Sequence, residues 1–73
     1  MTNYEIIKII KERKNILEIN QEYLSELSEV GIATVKRLES GTGNITLKNF
    51  QKIIDVLGLE FKLELKKIVN EKS

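Results

Sequence analysis

The chain has 73 residues and a formal net charge of +1, with 12 basic against 11 acidic side chains, a length that holds one domain and no more. It contains no cysteine and no histidine, which excludes disulfide staples, thiolate chemistry and the usual zinc ligand sets. With no apolar run near the roughly 20 residues of a bilayer span, it is expected to be a soluble protein of a reducing cytoplasm with no membrane partner.

A chain this short buries only about 60% of the surface that its unfolded form exposes. A second copy is the expected source of extra stability, since disulfides and metals are ruled out. Proline is absent, and Gly31, Gly41, Gly43 and Gly58 divide the chain where apolar periodicity breaks.

Across residues 4–17, Ile6, Ile7, Ile10 and Leu17 recur among Lys8, Lys11, Arg13 and Lys14, the pattern of an amphipathic helix. Asn20 offers an N-cap for a short second helix from Gln21 to about Ser28, with Leu24 and Leu27 facing inward. Glu29, Val30 and Gly31 make a turn, and Gly31 can cap a third helix from Ile32 to Ser40, where Val35 and Leu38 are spaced for the core. Gly41 follows as its left-handed terminator. Residues 42–45 read as loop, and Thr46 as the N-cap of a fourth helix in which Leu47, Phe50, Ile53, Ile54 and Leu57 form an apolar stripe ended by Gly58.

The period then changes. Residues 59–66, Leu-Glu-Phe-Lys-Leu-Glu-Leu-Lys, alternate without an error, the signature of a half-buried strand rather than of a helix continuing toward residue 72. A lone strand leaves its backbone groups unpaired, and no second strand is evident. It either docks on the helices alone or pairs with the same strand of another copy. Antiparallel self-pairing with Leu63 opposite Leu63 sets Lys62 against Glu64 and Glu60 against Lys66, whereas a shift of one residue sets like charges together. Leu59, Phe61, Leu63 and Leu65 are then the dimer interface, covering the helical core. Residues 67–73 read as a tail.

Two short helices joined by a turn of three or four residues are the DNA-binding helix-turn-helix arrangement, whose second helix enters the major groove. On an outward helical face, Ala33, Lys36, Arg37 and Ser40 lie opposite Val35 and Leu38, flanked by Ile32 and Thr34. From the residues alone this face reads more readily as an ordinary solvated one. Gln21 reads as a first-turn amide, and Asn44, Thr46 and Lys48 as a loop followed by a capped helix start.

The run from Asn20 to Gly41, with Gln21, Leu24, Val30, Ala33-Thr34-Val35, Arg37-Leu38-Glu39 and Gly41 in register, resembles the core of the lambda-repressor-like, or XRE-type, helix-turn-helix domains. The resemblance covers residues 4–58. The added strand at 59–66 is similar to the HipB-type antitoxin repressors of that group. It implies a mostly α fold of four to five helices in one domain over residues 1–73, with a C-terminal strand forming an intermolecular antiparallel sheet. It also implies a homodimeric transcriptional repressor on a palindromic double-stranded operator, possible forms being an antitoxin that represses its own operon and has a toxin protein as a further partner.

Under that resemblance the DNA-binding residues are Gln21, Ile32, Ala33, Thr34, Lys36, Arg37, Ser40, Asn44 and Lys48. Arg37 would pair with guanine, Ile32, Ala33 and Thr34 would meet thymine methyls, and Lys36 would reach phosphate. Gln21 would sit at a helix start that favours phosphate, and Asn44 and Lys48 at a second phosphate position. Lys14 and Glu39 fall where the family forms an ion pair between the first and third helices. Glu18 and Glu29 fall where it usually has glycine, so both turns are expected to be slightly altered. The acidic stretch 18–29 and the near-neutral charge lead to an expectation of modest, strongly salt-dependent binding.

Those same acidic residues favour a second reading, a toxin-neutralising interaction module with vestigial DNA binding. An enzyme is disfavoured: no carboxylate pair is evident, and Gly41-Thr42-Gly43-Asn44 is too short, and lacks the lysine, for a phosphate loop. Neither a cofactor nor a metal is expected.

Overall fold

A computed structural model describes residues 3–62. Within it lie α1 (Asn3–Ile16), α2 (Gln21–Ser28), α3 (Ile32–Ser40) and α4 (Leu47–Val56). The cap residues read from the sequence sit at the helix starts. Asn20 accepts from Tyr23 N at 2.7 Å, and Thr46 accepts from Asn49 N at 3.1 Å, each occupying one of the donors that a helix start leaves over. Gly31 begins α3 with no side-chain cap.

Three of the helix ends close in the same way. After α3, Gly41 N donates to Leu38 O at 3.2 Å and Thr42 N to Arg37 O at 3.0 Å. After α4, Gly58 N donates to Asp55 O at 3.1 Å and Leu59 N to Ile54 O at 2.9 Å. After α1, Glu18 N donates to Asn15 O at 3.1 Å and Ile19 N to Lys14 O at 2.9 Å. This paired closure requires a left-handed residue at the exit, a place that suits glycine. Gly41 and Gly58 supply it, but at α1 the residue is Glu18, with φ +58. Glu29, which ends α2, is likewise left-handed at φ +60. The turns therefore keep the geometry that glycine would give, at a backbone strain of roughly 1–2 kcal/mol for each glutamate. Gly58 could not be exchanged freely, because a β-carbon there would lie 3.1 Å from Arg13 Nη2, whose Nε donates to Leu57 O at 3.0 Å.

The core is Ile10 from α1, Leu24 from α2, Val30 from the turn, Val35 from α3, and Ile53, Ile54 and Leu57 from α4 and its exit. Ile6, Ile19, Leu38, Ile45, Phe50, Val56 and Leu59 pack around it. Helix α2 packs on both α3 and α4, and α1 packs on α3.

Three apolar positions differ from the sequence reading. Leu27 is 46% exposed rather than inward. Ser28, itself buried, donates to Leu24 O at 2.7 Å and accepts from Val30 N at 3.3 Å, while Ser25 donates to Val30 O at 2.6 Å. These bonds turn the serine side of α2 inward, and at 100° per residue Leu27 falls on the rim. Leu17 is exposed because α1 ends at Ile16 and its closure sends Ile19 to the core in its place. Leu47, the first residue of α4, is also exposed.

Beyond Gly58, residues 59–62 carry no helix or strand. Leu59 packs on the core, and the Phe61 ring meets Phe50 edge-on with centroids 5.6 Å apart and planes at 90°, a favoured aromatic geometry. Glu60 and Lys62 are exposed. The rest of the expected strand, with Leu63 and Leu65, and the tail at 67–73 lie outside the described residues.

Candidate nucleic-acid interface

Helix α3 has two chemically distinct sides. Val35 and Glu39 are buried, and Leu38 is half-buried against the core. Ala33, Lys36, Arg37 and Ser40 are exposed, and Ile32 and Thr34 are half-buried beside them. The helix is nine residues long, enough for one side to anchor while the other is presented.

What anchors it is an ion pair unusual for its depth. Lys14 Nζ of α1 stands 2.8 Å from each carboxylate oxygen of Glu39, with the two side chains 12% and 7% exposed. Gln21 Nε2, at the start of α2, donates to Glu39 Oε1 at 3.3 Å. Oε2 is left with the ammonium contact and no hydrogen bond among the described residues. One carboxylate thus joins α1, α2 and α3. An isolated charge at such burial would be strongly unfavourable, so the pair holds only as a unit.

The turn preceding α3 is set by Ser25 and Ser28 through the bonds to Val30 given above. Neither serine was singled out from the sequence, where both look like ordinary polar positions of a short helix. Their role depends on a hydroxyl reaching a turn carbonyl five residues away, a contact that helical periodicity does not signal.

After α3 the chain runs through residues 41–46. Ser40 Oγ donates to Arg37 O at 3.1 Å and shares a 2.8 Å hydrogen bond with Thr42 Oγ1. Arg37 does not extend straight from the helix: its Nη2 donates to Thr34 Oγ1 at 3.4 Å, and its side chain lies against Gly43. Asn44 is exposed next to Gly43, and Lys48 is exposed in the first turn of α4. An open cleft whose lining includes Ile6, Leu38, Phe50, Thr34, Arg37 and Asn44 runs beside this loop.

Of the residues singled out from the sequence, Ile32, Ala33, Thr34, Lys36, Arg37 and Ser40 therefore share one helix, with its outward side uncovered among the described residues. Gln21 is joined to that helix through Glu39, which accepts from its side-chain amide. Asn44 and Lys48 flank the following loop. The glutamates Glu18, Glu22, Glu26 and Glu29 are all exposed, so the first helix of the pair presents acid to solvent where the second presents Lys36 and Arg37.

A short helix anchored through a buried carboxylate, entered by a three-residue turn and carrying its cations outward, is the arrangement that meets a major groove. The family model described as helix-turn-helix matches residues 9–63, which takes in most of α1, all of α2, α3 and α4, and the segment after them. The chain belongs to the helix-turn-helix family. It is of the XRE, lambda-repressor-like kind, and is a DNA-binding transcription regulator. No curated protein matches the chain.

In this helix-turn-helix regulator the described residues hold no group of acidic side chains arranged for a metal ion. No helix among them is long and apolar enough to cross a membrane.

Proposed function

We propose that the protein is a sequence-specific repressor that binds double-stranded DNA as a homodimer on a palindromic operator. The observation that carries this reading is the exposure of Ala33, Lys36, Arg37 and Ser40 on the side of α3 opposite buried Val35 and Glu39. In each half-site Arg37 donates to guanine O6 and N7, and Ile32, Ala33 and Thr34 approach thymine methyls. Lys36, Lys48 and Asn44 contact phosphate. Gln21 does so through its backbone N–H at the α2 start, where the helix dipole favours an anion, while one N–H of its side-chain amide is given to Glu39.

The dimer is built by residues 59–66 pairing antiparallel with their copy, Leu59, Phe61, Leu63 and Leu65 facing the cores. The packing of Leu59 on the core, the edge contact of the exposed Phe61 with Phe50, and the exposure of Glu60 and Lys62 support this. Two copies then set their α3 helices about 34–36 Å apart, one turn of duplex. Selecting DNA from a random pool with the purified protein at fixed salt should return an inverted repeat whose guanine preference disappears in R37A. An operator affinity unchanged in R37A at matched salt would remove Arg37 from the interface. L63D should be monomeric or unfolded by sizing, and a dimer that persists in it defeats the proposed pairing.

The exposed glutamates of α2 favour a second reading, a toxin-neutralising subunit with weak DNA binding. The two roles coincide in an antitoxin that represses its own operon, residing in the cytoplasm with its toxin. A protein that co-purifies with the chain from its native source, together with no retention on DNA, would decide for the second reading alone.

A further inference from the structure

The loop between α3 and α4 passes beneath Arg37 at Gly43. A β-carbon built on Gly43 would lie 3.0 Å from Arg37 Cδ and 3.4 Å from its Nε, too close for both groups to stay where they are. With no β-carbon at 43, Arg37 Cδ and Nε sit over that position, and a side chain there would push them away by a few tenths of an ångström. Gly43 also has φ +72, a backbone region that glycine enters without strain and asparagine at some cost, so this glycine serves both the turn and the space beneath Arg37.

Three other contacts involve the same arginine. Its Nη2 donates to Thr34 Oγ1 at 3.4 Å, and its carbonyl accepts from Thr42 N at 3.0 Å and from Ser40 Oγ at 3.1 Å. The last turn of α3 and the loop are thereby joined around one residue. An arginine free in solvent loses much rotamer freedom when it meets a base, whereas one already laid along a surface loses less. The direction in which it is laid also selects the base edge that its planar fork can reach.

We propose that Gly43 is a positioning residue for base readout, pre-ordering Arg37 beside Thr34 so that the α3–α4 loop sets which base the guanidinium meets. This rests on the reading of Arg37 as the base-contacting side chain. Fixing the arginine from the loop separates its orientation from the fold of α3, so the loop can alter specificity while the helix stays in place.

The test is a double-mutant cycle with G43N and R37A on the selected operator at fixed salt, asparagine being chosen because it strains this left-handed backbone less than other side chains while filling the space. R37A should weaken specific binding about tenfold or more. G43N should weaken it severalfold in the native background, should lose preference at the same base pair as R37A, and should have no further effect in the R37A background. Equal losses from G43N in both backgrounds would mean that the loop acts on DNA by itself, and a gain would mean that it stows Arg37 away from DNA. Either overturns the proposal, as does no change. If R37A itself is silent, the base-contact reading fails, and the positioning role with it. Arg13 and Arg37 are the two arginines of the chain, so Nε–H relaxation on the free protein gives an independent measure. Arg37 Nε should be ordered in the native protein and released in G43N, and an Arg37 equally mobile in both would also overturn the proposal.

Discussion

The two sides of α3 are held by different kinds of interaction. The inner side is tied to distant parts of the chain: Val35 lies in the core, and Glu39 meets Lys14 and Gln21, 25 and 18 residues away. The outer side is held only locally, Arg37 by Thr34 three residues before it and by a glycine of the next loop. Long-range burial makes the inner side a determinant of stability, because a change there leaves a cavity or an unpaired charge. The outer side makes few such contacts, so under the proposed function a substitution there is expected to change the DNA that is read without changing whether the domain folds.

Lys14→Ala is the largest expected break in the inner side. It leaves Glu39 charged and buried without its partner, which should destabilise the domain by about 3–5 kcal/mol, on the order of the whole stability of so short a chain. A urea melt checks it, and a loss below about 1 kcal/mol would show that the pair is no deeper than a surface ion pair. If the inner side acts through charge burial, the apolar pair K14M with E39L should recover most of that loss.

Glu29→Gly tests the turn that joins the two sides. The left-handed backbone at φ +60 suits glycine, so the variant should gain about 0.5–1 kcal/mol after the greater entropy of glycine in the unfolded chain is offset. Its melting temperature should rise while the selected operator stays the same. A fall in stability would mean that the Glu29 side chain does more in the turn than the local geometry implies.

Lys36→Ala should have the smallest effect on stability, leaving the melt unaltered. Binding to all sequences should weaken alike, and the dependence of log affinity on log salt should become shallower by about 1. A change confined to one base pair would instead move Lys36 from phosphate to base contact.

Much of the helical scaffold is legible without coordinates. Asn20, Gly31, Gly41, Thr46 and Gly58 punctuate the chain where the helices start and stop, because capping is a matter of hydrogen bonds within a few residues. The two sides of α3 follow from the helical repeat. The inward orientation expected for Leu27 fails for an equally definite reason: two serines of α2 bond to the turn and rotate the helix. The placement of Arg37 on Gly43 was also invisible, since nothing in the order of residues 37–43 says that an arginine stem will fold back over a loop.

The amino-acid order by itself determined where four helices form, which face of α3 is polar, and that the chain resembles the lambda-repressor-like group. Only the tertiary structure decided how deeply Lys14 and Glu39 lie, that Glu18 and Glu29 adopt glycine-like backbones, and where Arg37 rests. Helices and caps are stabilised by neighbours a few positions apart, so their signal is local. Burial and side-chain direction are set by groups brought together from across the chain, and these acquire definite positions only once the helices pack.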